Sequence, residues 1–415
     1  ALIQKKDADE LDYNTVFYTN IVLSSTVYVI IFLIAPLLAA LFKSPEITSV
    51  IRVMSLGMPI GALSGVHSSM ISKNLAFKKF FFSTLSGSLL SAVVGLSMVL
   101  QGCGVWALVG QNLVSTIANT IVLLLIVRWR PKRMFSKERF KSLFSYGWKL
   151  TASNLMGTFF AQMKGYAIGL RYTTADLAYY NRGEGVPGIL YNNISSSINT
   201  VLFPALSKLQ DDKIAIRRAL SKTMQTASFV LMPGLLGLAA VSDNFVQIVY
   251  TSKWIAVVPF MQVICLMNCF DLLGAANIQA LKAVGRADTL LKLEVYKKPL
   301  MVSILVICMF ISPLAIAIGQ FFYSLIALVI NAYPNRKYID YPLKKQFLDI
   351  SKSFYSAVLM AFIVYFIGKL SFNIYLLLIF QILVGVAVYV LLSMKFNKVV
   401  FQEVLALVKH RVLKK

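Results

Sequence analysis

The sequence predicts an all-α polytopic membrane protein, and three observations carry that expectation. Hydrophobic residues make up 58% of the 415-residue chain and charged residues only 14%, with a mean hydropathy of +0.72. Soluble domains hold about 45–50% apolar and about 25% charged residues. The excess lies in repeated apolar runs of about 20 residues, the length that crosses ~30 Å of hydrocarbon as a helix. These runs are continuous, without the alternation a membrane β-barrel needs.

Twelve spans are expected, near 15–42, 47–72, 80–100, 105–127, 148–172, 186–208, 223–249, 255–282, 288–311, 313–333, 353–369 and 373–394. A tail over 396–413, apolar on one side and basic on the other, reads as an interfacial helix. The net charge of +24 follows topology, not a nucleic-acid partner. Of the 41 Lys and Arg residues, 34 fall in alternate connections: the N-terminal segment, 73–79, 128–149, 208–222, 282–298, 336–352 and the tail. The remaining seven are Lys43, Arg52, Lys164, Arg171, Arg182, Lys253 and Lys369. The positive-inside rule places the rich set, and with it both ends of the chain, in the cytoplasm.

An internal repeat follows. Ala35-Pro36 with Leu41-Phe42-Lys43-Ser44 resembles Asp243-Asn244 with Val249-Tyr250-Thr251-Ser252, and Val53-Met54-Ser55-Leu56 aligns with Val263-Ile264-Cys265-Leu266. Phe77-Lys78-Lys79 falls on Ala287-Asp288-Thr289, and Gly110-Gln111 on Gly319-Gln320. The offsets stay between 208 and 210 over four helices. Equivalent helices are six spans apart, so the copies share orientation, as in transporters built of parallel repeats. The expected organisation is an N-terminal lobe over 1–127, a basic linker over 128–147, a C-terminal lobe over 148–335, and two further helices with the tail over 336–415. The first copy holds four helices and the second six, so about two spans are expected before residue 1.

Several segments together resemble a known family. They are ALIQKKD at the start, ADLAYYNRGEGVPGIL (175–190), VLFPALSKLQDD (201–212), LMPGLLGLAAVSDNFVQIVYTSKW (231–254) and LKAVGRADTLLKLE (281–294). As a set they resemble Wzx-type flippases of the multidrug/oligosaccharidyl-lipid/polysaccharide exporter superfamily, especially its colanic-acid-exporter-like branch. The resemblance implies two six-helix lobes facing each other in a V, with two more helices. It also implies a secondary transporter that moves undecaprenyl-diphosphate-linked oligosaccharide units from the inner to the outer leaflet of a bacterial cytoplasmic membrane. Its partners would be the lipid-linked oligosaccharide, membrane lipids, and polysaccharide polymerase and chain-length proteins.

Within 147–172, Asn154, Gly157, Ala161, Lys164, Ile168 and Arg171 share one helical face, opposite Leu155, Met156, Phe159, Met163, Tyr166 and Leu170. An ionisable group at membrane depth is costly and is a functional hypothesis by default. Lys164 is the first candidate for contact with the cargo's diphosphate; its plainer role is to snorkel or to pair with an acidic neighbour. Arg171 and Arg182 follow, with interfacial anchoring as the plainer role of Arg171. Arg182 and Glu184 lie in an outer loop or helix start, where they either pair with each other or hold an extracellular gate. Asp271 is the only acidic residue deep in an apolar run, a candidate for proton or sodium coupling or a partner for a lumen lysine. His67 fits a proton shuttle or a structural hydrogen bond.

Pro233-Gly234 is the favoured hinge, Glu294 and Lys298 a surface ion pair at i, i+4, and Cys265 and Cys269 core residues. No Walker A loop, GxGxxG, HExxH or Ser–His–Asp pattern is present, so neither a bound cofactor nor enzymatic chemistry is expected. The competing expectations are a drug/cation antiporter of the same superfamily and a non-transporting scaffold of a polysaccharide assembly complex.

Overall fold

The computed structural model describes residues 9–42, 44–73, 77–207, 209 and 212–412. Every element among them is helical. The order is α1 (Glu10–Leu41), α2 (Glu46–Ser55), α3 (Gly57–Ala62), α4 (Gly65–Lys73), α5 (Phe77–Leu100), α6 (Val105–Ile126), α7 (Lys137–Arg171), α8 (Thr174–Ser207) and α9 (Lys213–Val249). A single 3-10 turn (Ser252–Val257) leads into α10 (Val258–Ala283), followed by α11 (Ala287–Cys308), α12 (Pro313–Ile339), α13 (Leu343–Ile367), α14 (Ile374–Phe396) and α15 (Lys398–Val412).

Among the described residues eight helices are long and apolar enough to cross a membrane, or nine if the bent series α2–α4 is one span. The remaining predicted spans, 148–172, 186–208 and 288–311, lie in α7, α8 and α11. The chain is a multi-pass membrane protein. The second predicted span is broken by 51° between α3 and α4, where Gly57, Pro59, Gly61 and Gly65 crowd together. Its repeat counterpart, α10, is continuous.

Helix starts follow local chemistry. Asp9 and Asp12 close a capping box at α1, and the Asp212 carboxylate accepts from the Ile214 and Ala215 N–H groups, both at 2.9 Å. Ser312 caps α12 by accepting from the Ala315 N–H at 3.0 Å, with Pro313 opening the helix. Each supplies acceptors to first-turn amides that have no partner inside the helix.

The chain forms two compact units that divide between Gln162 and Met163, within α7. The basic linker expected at 128–147 lies wholly within the first unit. There the basic stretch docks along α1. The Lys132 N–H donates to Asn14 Oδ1 at 2.6 Å, the Ser136 N–H to Thr15 Oγ1 at 3.3 Å, and His67 Nε2 lies 3.1 Å from the Trp129 carbonyl. Lys132 pairs with Glu10 at 2.8 Å and Arg139 with Asp9 at 3.3 Å. Trp129 packs edge-on against Phe17 and His67. In the same unit α5 and α6 form a close hairpin: a Cβ on Gly87 would stand 3.0 Å from the Ser115 carbonyl.

The second unit is built around α9 and α10. Leu220, Met224, Leu231, Met232 and Leu235 of α9 are buried with Met261, Cys265, Cys269 and Leu272 of α10. The two cysteines are therefore core residues, as expected. The last helices belong to this core: Ala357, Met360 and Val364 of α13 and Tyr389 of α14 are buried in it. Even α15 is docked at its start, with Val400 buried, Phe401 against Phe229, and Glu403 2.9 Å from Lys222. The side chains of 407–415 lie outside the described residues.

Candidate functional site

The site grows from the C-terminal part of α7. Ile168, the apolar member of the small-residue stripe, is 0% exposed and packs with Tyr180, Phe260, Ile264, Leu305 and Ile316. It anchors α7 in the second unit and brings Lys164, one turn earlier, against α8. On the opposite face Leu155, Met156, Phe159, Tyr166 and Leu170 are exposed, whereas Met163 packs on the core; on the stripe itself Gly157 and Ala161 are exposed, unlike a face turned to other helices. The side chain of Asn154 lies outside the described residues.

Lys164 Nζ is 2.6 Å from Glu184 Oε1, and its ammonium lies 5.5 Å from the centre of the Tyr180 ring. The lysine side chain is 19% exposed and the glutamate 38%. Pairing and the ring face offset part of the cost of removing the ammonium from water. Of its two roles, the acidic neighbour is present, and Glu184 is that neighbour.

Of the two readings of Arg182 and Glu184, pairing with each other does not occur. Residues 174–207 form one uninterrupted helix, so 182 and 184 are inside it and not in a loop. At i, i+2 their side chains leave opposite sides of the helix. Glu184 turns to α7, while the Arg182 guanidinium lies over Tyr250 and Trp254, at 5.9 and 5.7 Å from the ring centres. Gly183 makes this possible. A Cβ there would stand 2.7 Å from Phe260 Cβ, so only glycine lets α8 approach α10 so closely. Arg171 lies 5.4 Å from the Phe310 ring, the anchoring arrangement.

Asp271, on α10, accepts a hydrogen bond from Ser324 Oγ of α12. Lys164 and Tyr191 are within electrostatic reach of its carboxylate. In the second unit Lys164, Tyr180 and Glu184 thus meet across α7 and α8 as one polar centre, and Asp271 and Ser324 meet across α10 and α12. Below Asp271 the α10–α12 seam stays polar. A Cβ on Gly274 would meet Asn331 Nδ2 at 3.3 Å, and Asn277 Oδ1 accepts from Asn335 Nδ2 at 2.6 Å and from Gln346 Nε2 at 3.0 Å. Sequence reasoning missed this seam. Its signal was the spacing of Gln320, Ser324, Asn331 and Asn335, which lie on one face of α12.

His67 belongs to the first unit. It is fully buried, bonds the Trp129 carbonyl through Nε2, and leaves Nδ1 without a partner. Of its two readings, the structural hydrogen bond is the one present. Glu294 pairs with Lys298 at 3.7 Å, as expected, and more closely with Lys297 at 2.6 Å. No group of three or more metal-ligating side chains occurs among the described residues.

Comparison with known proteins agrees with this architecture. The chain is 25% identical over 313 residues to the lipopolysaccharide biosynthesis protein WzxC of Escherichia coli strain K12, covering 74% of this chain and 63% of that protein. It is 27% identical over 296 residues to the teichuronic acid biosynthesis protein TuaB of Bacillus subtilis strain 168, covering 69% and 60%. With the succinoglycan biosynthesis transport protein ExoT of Rhizobium meliloti strain 1021 it shares 24% over 290 residues, covering 70% and 59%. The chain therefore spans about three fifths of the length of these curated relatives. Its fold is that of the lipid II flippase MurJ in an inward closed conformation, with a TM-score of 0.74 and 17% identity over 96% of this chain and 87% of that one. The motif-based resemblance to polysaccharide exporters is borne out. Residues 1–259 match the family model described as polysaccharide biosynthesis protein, and the chain belongs to that family.

Proposed function

We propose that this protein is a secondary transporter that flips undecaprenyl-diphosphate-linked oligosaccharide units from the inner to the outer leaflet of a bacterial cytoplasmic membrane. The basic connections, including both ends of the chain, would face the cytoplasm. The observation that carries the reading is a paired cation, Lys164, in a polar centre of a multi-pass chain whose relatives serve polysaccharide biosynthesis. A diphosphate and a glycan cannot shed their water in hydrocarbon. A polar path along the protein removes that cost for the head group, while the polyprenyl tail stays in lipid.

In this reading Lys164 exchanges Glu184 for the diphosphate. The bound state keeps a carboxylate-like partner on the ammonium, so entry and release are both affordable in free energy. Alternating access between two conformations, as parallel-repeat transporters use, carries the head group across. Asp271, held by Ser324 within reach of the Lys164 charge, is the coupling or gating group, and a proton or sodium gradient supplies the drive. Arg171 anchors α7 beside Phe310. Polymerase and chain-length proteins are the expected protein partners, and the protein has no catalytic residue in this scheme.

The test is transfer of a fluorescent lipid-linked oligosaccharide across the bilayer of reconstituted vesicles. Protein-dependent transfer is expected, reduced at least about tenfold by Lys164→Leu at equal protein content. Asp271→Asn is expected to abolish acceleration by a proton or sodium gradient. Gradient-accelerated transfer that neither variant changes would overturn the assigned roles, and no protein-dependent transfer would overturn the function.

A further inference from the structure

Arg182 lies on an aromatic cluster that the polar centre around Lys164 does not use. Its guanidinium covers Tyr250 and Trp254, and Tyr179, one turn before it on α8, meets Trp254 edge to face at 5.9 Å. The rings of Tyr179, Tyr250 and Trp254 are partly buried and packed on the core of the second unit. Aromatic side chains that anchor a protein in the membrane interface project outward instead. Arg182 is exposed above them and makes no ion pair among the described residues. Lys253, beside Trp254, is exposed and unpaired in the same sense.

The turn that carries this cluster is strained. Thr251 has φ 75° and ψ 164°, a region that L side chains with a branched Cβ rarely adopt. Such strain persists where the surroundings enforce it, and it gathers at ligand sites. Here it sets Trp254 beneath Arg182, with the Trp254 N–H returning to the Thr251 carbonyl at 3.1 Å.

We propose that Tyr179, Arg182, Tyr250, Lys253 and Trp254 form a binding platform for an acidic sugar residue, a hexose ring bearing a carboxylate. A guanidinium stacked on aromatic rings still presents its N–H edge, in the fork geometry that matches a carboxylate. Tyr179 and Trp254 offer aromatic surface on which a sugar's C–H groups can pack, and Lys253 adds a second charge. The charge bias puts this cluster on the exterior side, where a glycan arrives after crossing. The proposal rests on the transport reading and deepens it by naming the cargo's chemistry.

The experiment is saturation-transfer NMR of the full chain in phosphatidylcholine nanodiscs, with methyl glucuronide and methyl glucoside as probes. The glucuronide is expected to bind about tenfold more tightly than the glucoside, a preference lost in Arg182→Lys, which keeps charge but not the fork. Trp254→Phe is expected to weaken both probes and to keep the preference. Equal binding of the two sugars, or a preference that survives in Arg182→Gln, overturns the platform. Displacement of the glucuronide by inorganic pyrophosphate at equal concentration overturns it in favour of a phosphate site, and displacement by phosphatidylglycerol in favour of a lipid site. Vesicle transfer is scored separately. Glucuronide preference without transfer refutes the transporter and leaves the platform, while transfer without preference refutes the platform alone.

Discussion

Lys164 and Glu184 meet at 2.6 Å across α7 and α8, twenty residues apart in sequence. Neither helix alone explains the residue it carries. Glu184→Gln removes the counter-charge and leaves the ammonium largely buried, so a loss of about 1–3 kcal/mol is expected, discounted for the exposure of the carboxylate. Thermal unfolding in detergent measures it. The double variant Lys164→Glu with Glu184→Lys is expected to regain most of that stability and to remain inactive in vesicle transfer. Recovery of both would reduce the pair to a structural strut.

Asn277 is the centre of the amide network that joins α10, α12 and α13. Its side chain donates to Gln346 Oε1 at 2.8 Å and to the Leu273 carbonyl at 2.9 Å, while accepting from Asn335 and Gln346. Asn277→Leu fits the space poorly and strips buried amides of partners, at about 1–3 kcal/mol per orphaned group. A double-mutant cycle with Gln346→Ala is expected to give a coupling of ~0.5–3 kcal/mol. Additive losses in the melting curves would mean that the two amides do not act as a unit.

The sequence made the helices legible because apolar length and charge bias are one-dimensional signals. Every predicted span except the broken second one falls largely in a single helix, and around Lys164 the stripe is packed at Ile168 but exposed at Gly157 and Ala161. What was not legible depends on which helix lies beside which. Pairing of Glu184 with Arg182 was one reading because YYNRGEGVP suits an outer loop or a helix start; in the continuous helix α8 the i, i+2 spacing turns the two charges apart. Asp271 was visible as an isolated carboxylate, whereas Ser324 has an unremarkable serine's signature until α12 is laid against α10. The basic stretch 128–144 looked like a linker since its composition is that of an exposed connection. Its docking depends on Asn14 and Thr15, more than a hundred residues earlier.

Tyr341 gives the second unit a measurable alkaline limit. It lies between α12 and α13 and donates to Asp349 Oδ2, which also accepts from Ser221 Oγ at 2.6 Å. Burial first, then the hydrogen bond and charge of Asp349, push the phenol's pKa upward. A raised folded-state value means that the protonated phenol is favoured in the fold. Its contribution is therefore complete below the unfolded tyrosine value of about 10 and is lost as pH climbs from there toward the folded value. Tyr341→Phe is expected to be less stable than the parent at neutral pH by about 1 kcal/mol. The gap should close above about pH 10 in paired melting curves. A gap that is constant across that range would show that the phenol does not titrate with unfolding.

Trp129 determines whether the basic stretch is held. Its ring packs between Phe17 and His67, its carbonyl accepts from His67, and Arg130 returns to the Leu124 and Val127 carbonyls at 2.7 and 3.1 Å, capping the end of α6. Trypsin could cut after Arg128, Lys132 or Arg133 only when this backbone leaves α1. The ring is partly buried, so its removal costs part of the ~3–5 kcal/mol lost with a fully buried one, and cleavage tracks the population of the open form when reclosing is fast. Trp129→Ala is therefore expected to speed cleavage within 128–133 by about tenfold or more, with sites elsewhere less affected. Parent protein cut there as fast as the variant would mean that the stretch is a free connector, and that the bonds from Lys132 and Ser136 to α1 do not hold it in solution.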